Sequence, residues 1–162
     1  MKLNLNRAFT LIEMLVVISL IGILAALALA SFGGAQKQAR DATRKSDLKQ
    51  YQTALEMYGN LTNGLFPSSA GSTIDAFTTL CKNLNIILEP DISCSQDPKQ
   101  ISNSTARGYQ YVSNGSAPGS PSATRYFLYV LLENKTAFWV VCSNGKSGET
   151  TTIVFSQGVC PI

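Results

Sequence analysis

Glu13 has the least comfortable place in this sequence. It stands inside an apolar stretch that begins at Phe9, and no charged residue follows it from Met14 to Gln36. An ionised group at the centre of a lipid-embedded helix costs roughly 2.5–3.5 kcal/mol, less near an end, so a compensating partner is expected. Thr10 offers a local one. Thr10-Leu11-Ile12-Glu13 fits the capping box, in which the two residues satisfy each other's backbone N–H groups. Elsewhere the chemistry is sparse. The chain has no His, which removes Ser-His-Asp and Cys-His catalysis and every His-containing zinc site. Asp97, Glu133 and Glu149 show no paired-carboxylate spacing and are expected as surface charges. Gly33-Gly34 ends an apolar run and is no phosphate loop. The carboxy-terminal KSGETTTIVFSQG supplies only Glu149, where calcium wants 6–8 oxygens. No enzyme, cofactor or metal is expected.

The elements around Glu13 decide where it sits. Met14 to Gln36 is 23 residues, roughly 34 Å of helix at ~1.5 Å per residue and enough for a ~30 Å hydrocarbon layer. Charged residues make up 14% of the 162-residue chain, below the usual ~25%. That argues against a disordered tail and against a nucleic-acid partner, which would show a clustered basic excess. The net charge of +3 is unevenly spread, with seven basic and three acidic residues in the first 50. Lys2 and Arg7 favour a cytoplasmic amino terminus, whereas Lys37, Arg40, Arg44, Lys45 and Lys49 beyond the run favour the opposite. Arg40, Arg44 and Lys45 are placed to meet anionic headgroups, neighbouring subunits or solvent. A secretory signal peptide cut after Ala30, at Ala28-Leu29-Ala30, is a competing reading. Against it, the apolar region exceeds the usual 7–15 residues and carries an acid at its entrance.

Ala8-Phe9-Thr10-Leu11-Ile12-Glu13-Met14-Leu15-Val16-Val17 resembles the amino-terminal signature of type IV pilins and type II secretion pseudopilins. The resemblance implies a leader over residues 1–8, cleavage between Ala8 and Phe9 by a membrane-embedded aspartic prepilin peptidase, and N-methylation of Phe9. Glu13 then becomes the fifth mature residue, the family's assembly glutamate, with the amino-terminal ammonium of a neighbouring subunit as its partner. Pairing of that kind would relieve the burial penalty. Two departures stand out. Ala8 replaces the Gly usual before the cut, and Ala30 stands near where many pilins carry Pro, with Gly33-Gly34 just beyond.

Residues 37–60 continue the helix as an amphipathic segment. Leu48, Tyr51, Leu55 and Tyr58 form its apolar stripe, Ala35, Ala39 and Ala42 a small face before it, and Gly59-Asn60 its end. Residues 73–89 show helical spacing up to Pro90. Tyr109–Ser113, Tyr126–Leu132 and Ala137–Cys142 read as strands and Ile153–Phe155 as a shorter one, with 113–124 a loop and Ser143–Glu149 a turn. Strands without intervening helices imply an antiparallel sheet, with one face on the helix stripe. GYQYVSNG followed by YFLYVLLEN also resembles, more loosely, the head of major pseudopilins. Four cysteines, Cys81, Cys94, Cys142 and Cys160, lack any C-x-x-C and allow three connectivities. Beyond a membrane span they indicate an oxidising compartment, and local pairing, Cys81–Cys94 and Cys142–Cys160, is expected over free buried thiols.

The expected fold is α+β and pilin-like: a long helix, transmembrane over 9–36 and amphipathic over 37–60, packed on a small antiparallel sheet within a disulfide-bonded head, 61–162. The resemblance implies a homo-oligomeric helical filament of the type IV pilus or secretion pseudopilus kind. The subunit would be single-pass in the cytoplasmic membrane, in contact with lipid and the assembly machinery there, and afterwards at the cell surface or in the periplasm. A soluble disulfide-bonded binding domain released after Ala30, and a single-span anchored binding module, are the rivals.

Overall fold

The computed structural model describes residues 9–88, 93–99, 108–154 and 157–162, with the backbone alone for residues 28–31. Helix α1 runs from Leu11 to Leu61. Contacts divide the chain into a unit ending at Lys37 and a head unit, Gln38–Ile162. In the head, strand β1 (Phe66–Pro67) precedes β2 (Thr73–Asp75), a π-helical turn (Ala76–Leu80) and helix α2 (Cys81–Leu88). Strands β3 (Gln110–Ser113), β4 (Pro121–Ala123), β5 (Tyr126–Leu131), β6 (Phe138–Cys142) and β7 (Ser147–Thr150) follow. The main sheet has the order β2-β3-β5-β6-β7 and is antiparallel throughout. The fold is thus α+β, with the long helix lying on an antiparallel sheet.

The stripe Leu48, Tyr51, Leu55 and Tyr58 is the head's spine, each residue 3% exposed or less. Alternation along the strands presents Tyr109, Tyr111, Tyr126, Leu128, Val130 and Val141 to it. The opposite face carries Val112, Phe127, Tyr129, Val140 and Cys142, and Ile153 and Cys160 of the carboxy-terminal segment cover it. Both faces of the central strands are therefore buried, which is why Tyr126–Leu131 is a continuous apolar run. Disulfides join Cys81 to Cys94 and Cys142 to Cys160. The second ties the carboxy-terminal segment to β6. Each closes a loop of under 20 residues, worth about 3 kcal/mol in the chain-entropy model.

Several expectations change. The helix ends at Leu61, past Gly59-Asn60, because Asn63 and Gly64 take the left-handed conformation that stops it. Thr73–Asp75 is a strand paired with β3. Asp75 is the true start signal of the helical segment, accepting from Thr78 N and Thr78 Oγ1 at 2.8 and 2.9 Å. Within the expected loop, Pro121–Ala123 pairs with β1. The turn at 143–149 is shorter, and Ser147–Thr150 pairs with β6. A polar edge strand of Ser, Gly, Glu and Thr carries no β-propensity signal, as edges often do not. Ile153 and Val154 are not in a strand, and Phe155 lies outside the described residues. Ala35, Ala39 and Ala42 are exposed.

The largest correction concerns charge. The buried stripe of α1 extends towards the amino terminus through Arg44 and Asp41, 2% and 6% exposed. Arg44 Nε and Nη2 donate to Asp97 Oδ2 and Oδ1 at 2.7 and 2.9 Å, a bidentate fork. Its Nη1 reaches Asp41 Oδ1 at 2.9 Å and its Nη2 also reaches Glu133 Oε1 at 2.7 Å. Arg40 holds Glu133 from a second side and Lys99 from a third. Asp41 further accepts the backbone N–H groups of Glu133 and Asn134, each at 2.8 Å. Asp97 is therefore a buried partner of Arg44 and Glu133 a half-buried one, and Glu149 is held by Lys45 and Lys135. A helix residue spaced like a solvated charge becomes core when a loop brings carboxylates to it. Nearby, Tyr109 OH donates to Asp47.

Two outcomes follow for the head. Removing one member of a buried ion cluster leaves the others uncompensated, typically at about 3–5 kcal/mol. Arg44→Met is expected to lose about that much in urea unfolding of the full chain in detergent. The hydrogen bond from Arg40 in particular, with Arg44 and Lys99, holds the Glu133 carboxyl down at about 2 against burial, from an ordinary 4.5. A depressed carboxyl contributes its stability above the ordinary value and loses it as pH falls through the folded one. Stability should therefore drop between about pH 4.5 and 2, and Glu133→Gln should flatten that part of a thermal-melt pH series.

Candidate functional site

The amino-terminal unit is a helix with an apolar surface on every side. Phe9 is 76% exposed, Leu11 83%, Ile18 66%, Leu24 66% and Phe32 62%, with the other large apolar side chains described between them at least 46% exposed. A helix that is apolar all round is buried in something, whether protein or lipid. Taken on either side of residues 28–31, no single helix is long and apolar enough to cross a membrane. The segments Leu11–Leu27 and Phe32–Leu61 pass together, by length and composition. Gly22, Gly33 and Gly34 have open space on their side-chain faces among the described residues.

At the head of this helix Thr10 and Glu13 form the capping box. Thr10 N and Thr10 Oγ1 both donate to Glu13 Oε2 at 2.9 Å, and Glu13 N donates to Thr10 Oγ1 at 3.3 Å. The local reading of Glu13 is thus realised, and it uses one carboxylate oxygen. Oε1 has no hydrogen-bond partner among the described residues. The cap leaves the carboxylate half free, beside Phe9 and at the open end of an apolar rod. Chemically, the arrangement can accept one cationic or N–H donor from outside the chain while the helix start stays intact. Ala8 and the leader, residues 1–8, lie outside the described residues.

The basic residues after the apolar run separate into two groups. Arg40 and Arg44 turn into the head, where they bind Glu133, Asp97 and Asp41; Arg44 is buried there, whereas Arg40 keeps part of its surface in solvent. Lys45 stays on the rim with Glu149, its Nζ 4.3 Å from the centre of the Trp139 ring. Lys49 Nζ donates to Gln52 Oε1 at 2.7 Å. The Arg44 cluster itself was missed in the sequence. Its one signal was that Asp41 and Arg44 continue the register of the apolar stripe. No group of three His, Cys, Asp or Glu among the described residues could hold a metal ion.

Comparison with known proteins places the similarity at this end. The prokaryotic N-terminal methylation motif matches residues 3–29. The chain is 42% identical over 53 residues to the type IV major pilin protein PilA of Myxococcus xanthus, covering 33% of this chain and 24% of that protein. It is 39% identical over 69 residues to the type II secretion system core protein G of Pseudomonas aeruginosa, covering 43% of this chain and 48% of that protein. The chain thus spans about a quarter and about half the length of these two relatives. No solved structure matches. The chain thus carries the prokaryotic N-terminal methylation motif and, over its amino-terminal part, is similar to a type IV major pilin and to a type II secretion core protein.

Proposed function

We propose that this protein is a structural subunit of a type IV pilus-like or pseudopilus filament, and that its task is assembly rather than turnover. The observation that carries the reading is the apolar helix from Phe9 onward, exposed on all sides, with one carboxylate oxygen near its start, Glu13 Oε1, that has no partner among the described residues. In storage the helix is covered by the cytoplasmic membrane, with the amino terminus on the cytoplasmic side. In the filament the same surface is covered by the helices of other copies. Prepilin peptidase cuts between Ala8 and Phe9, the new amine is methylated, and that ammonium of one subunit meets Glu13 Oε1 of the next during docking by the inner-membrane machinery. Both charges then leave lipid as a pair. The disulfides suit a head exposed to an oxidising compartment. Relatives in both a pilus and a secretion system support the filament class in common.

The mature protein should have an intact mass corresponding to a chain that starts at N-methylated Phe9. A chain starting at Ser31 would instead establish the released soluble domain, and an uncut chain the permanently anchored module.

Glu13→Ala removes a charge from the membrane and is expected to insert at least as well as the parent. It also leaves the neighbour's ammonium uncompensated at docking. The variant should therefore reach wild-type levels in a membrane immunoblot and be absent from sheared filaments in electron micrographs. Normal filaments from this variant would reduce Glu13 to the partner of Thr10 in the capping box.

A further inference from the structure

A half-enclosed cavity of about 250 Å³ opens in the head at Gln38, two residues past the charge-free run. Ala42 and Leu132 give it an apolar floor, and Lys45, Lys135 and Glu149 its charged rim. Each ammonium takes a different oxygen of the one carboxylate, Lys45 Nζ to Oε1 at 3.0 Å and Lys135 Nζ to Oε2 at 2.8 Å. Asp41 also lines the cavity, but its oxygens are taken by Arg44 Nη1 and by the N–H groups of Glu133 and Asn134. Two cations thus share one available anion, and the rim retains a positive charge. The three side chains are 36%, 60% and 28% exposed, so they are accessible and incompletely desolvated. The Trp139 ring beneath Lys45 fixes that ammonium in place.

We propose that this cavity binds the phosphate of an anionic phosphodiester, supplied by a lipid headgroup while the subunit is stored in the membrane. Two non-bridging phosphate oxygens present the fork that the Glu149 carboxylate now occupies, and the single negative charge of the phosphate replaces the one that Glu149 withdraws. Glu149 acts as the internal competitor. It fills the site when no headgroup is present and takes it back when the subunit leaves lipid. On helix α1, Gln38, Ala42 and Lys45 follow one another at i, i+4 and i+7, one face in the turns that immediately succeed the apolar run. That is where chain emerging from hydrocarbon meets headgroups. The proposal rests on the membrane-stored subunit of the preceding section.

Trp139 is the only tryptophan of the chain and lies against Lys45, so its emission reports on the site. Full-length protein in phosphatidylcholine vesicles should shift its emission as phosphatidylglycerol is added, saturably. Lys135→Ala should weaken that response about fivefold, the factor corresponding to ~1 kcal/mol per lysine near an anionic surface. Glu149→Gln should strengthen it several-fold. Lys146→Ala and Glu56→Gln, exposed in the head and outside the cavity, remove the same charges and should leave the Trp139 response unchanged. A shift produced by inorganic phosphate in pure phosphatidylcholine vesicles assigns the site to soluble phosphate, and one produced only by phosphatidylglycerol assigns it to the headgroup. Failure of the chain to float with either vesicle sinks the membrane reading and the headgroup assignment with it. If the chain floats and the cavity variants respond as their controls do, Glu149, Lys45 and Lys135 are an internal ion pair only, and the proposal alone is overturned.

Discussion

Arg44 fixes the point on the long helix where the chain begins to supply its own burial. Before it, every apolar side chain from Phe9 to Phe32 whose exposure is described faces outward, and the helix relies on lipid or other copies for cover. From Arg44 onward the same register leads into Leu48, Tyr51, Leu55 and Tyr58, all closed under the sheet. The guanidinium is held by carboxylates from three places: Asp41 one turn back, Asp97 from the segment after the Cys81–Cys94 disulfide, and Glu133 from the β5–β6 connection. Loops that would otherwise only flank the helix are thereby tied to it, and the sheet they carry is set on the apolar stripe. A buried charge cluster is a weak source of net stability but an effective specifier of register, since any slip of the loops would strand a charge.

What the sequence disclosed and what it withheld follow one physical division. The apolar run, the capping box, the stripe at 48, 51, 55 and 58 and the three inner strands all depend on residues whose burial is implied by their own type. They could be read in one dimension. Asp41, Arg44 and Asp97 are buried, and Glu133 half-buried, for the opposite reason, because each finds the others, and sequence separations of 53 and 89 residues hide such partners. Edge strands β2, β4 and β7 were missed because their residues, Thr, Ser, Gly, Glu and Pro among them, have no apolar period and gain their order from neighbours. At the candidate site the capping role of Glu13 was readable, and its assembly role is a proposal. The capping box is local, and its residual valence shows only once the geometry assigns both Thr10 donors to the same oxygen.

The two roles of Glu13 also bear on how a single residue can serve storage and assembly. A carboxylate alone in lipid would favour protonation or expulsion, and either would disable it as a docking partner. Thr10 supplies two donors and a helix start that needs an acceptor there, so the group remains aligned without any other subunit. Because both donors fall on Oε2, the alignment does not consume the whole group. In the proposed assembly, a neighbour's ammonium would be accepted at Oε1 with no rearrangement of the cap. Capping and assembly would then be successive uses of one carboxylate, one oxygen each. Growth of the filament would exchange lipid for protein around a residue whose own geometry stays fixed.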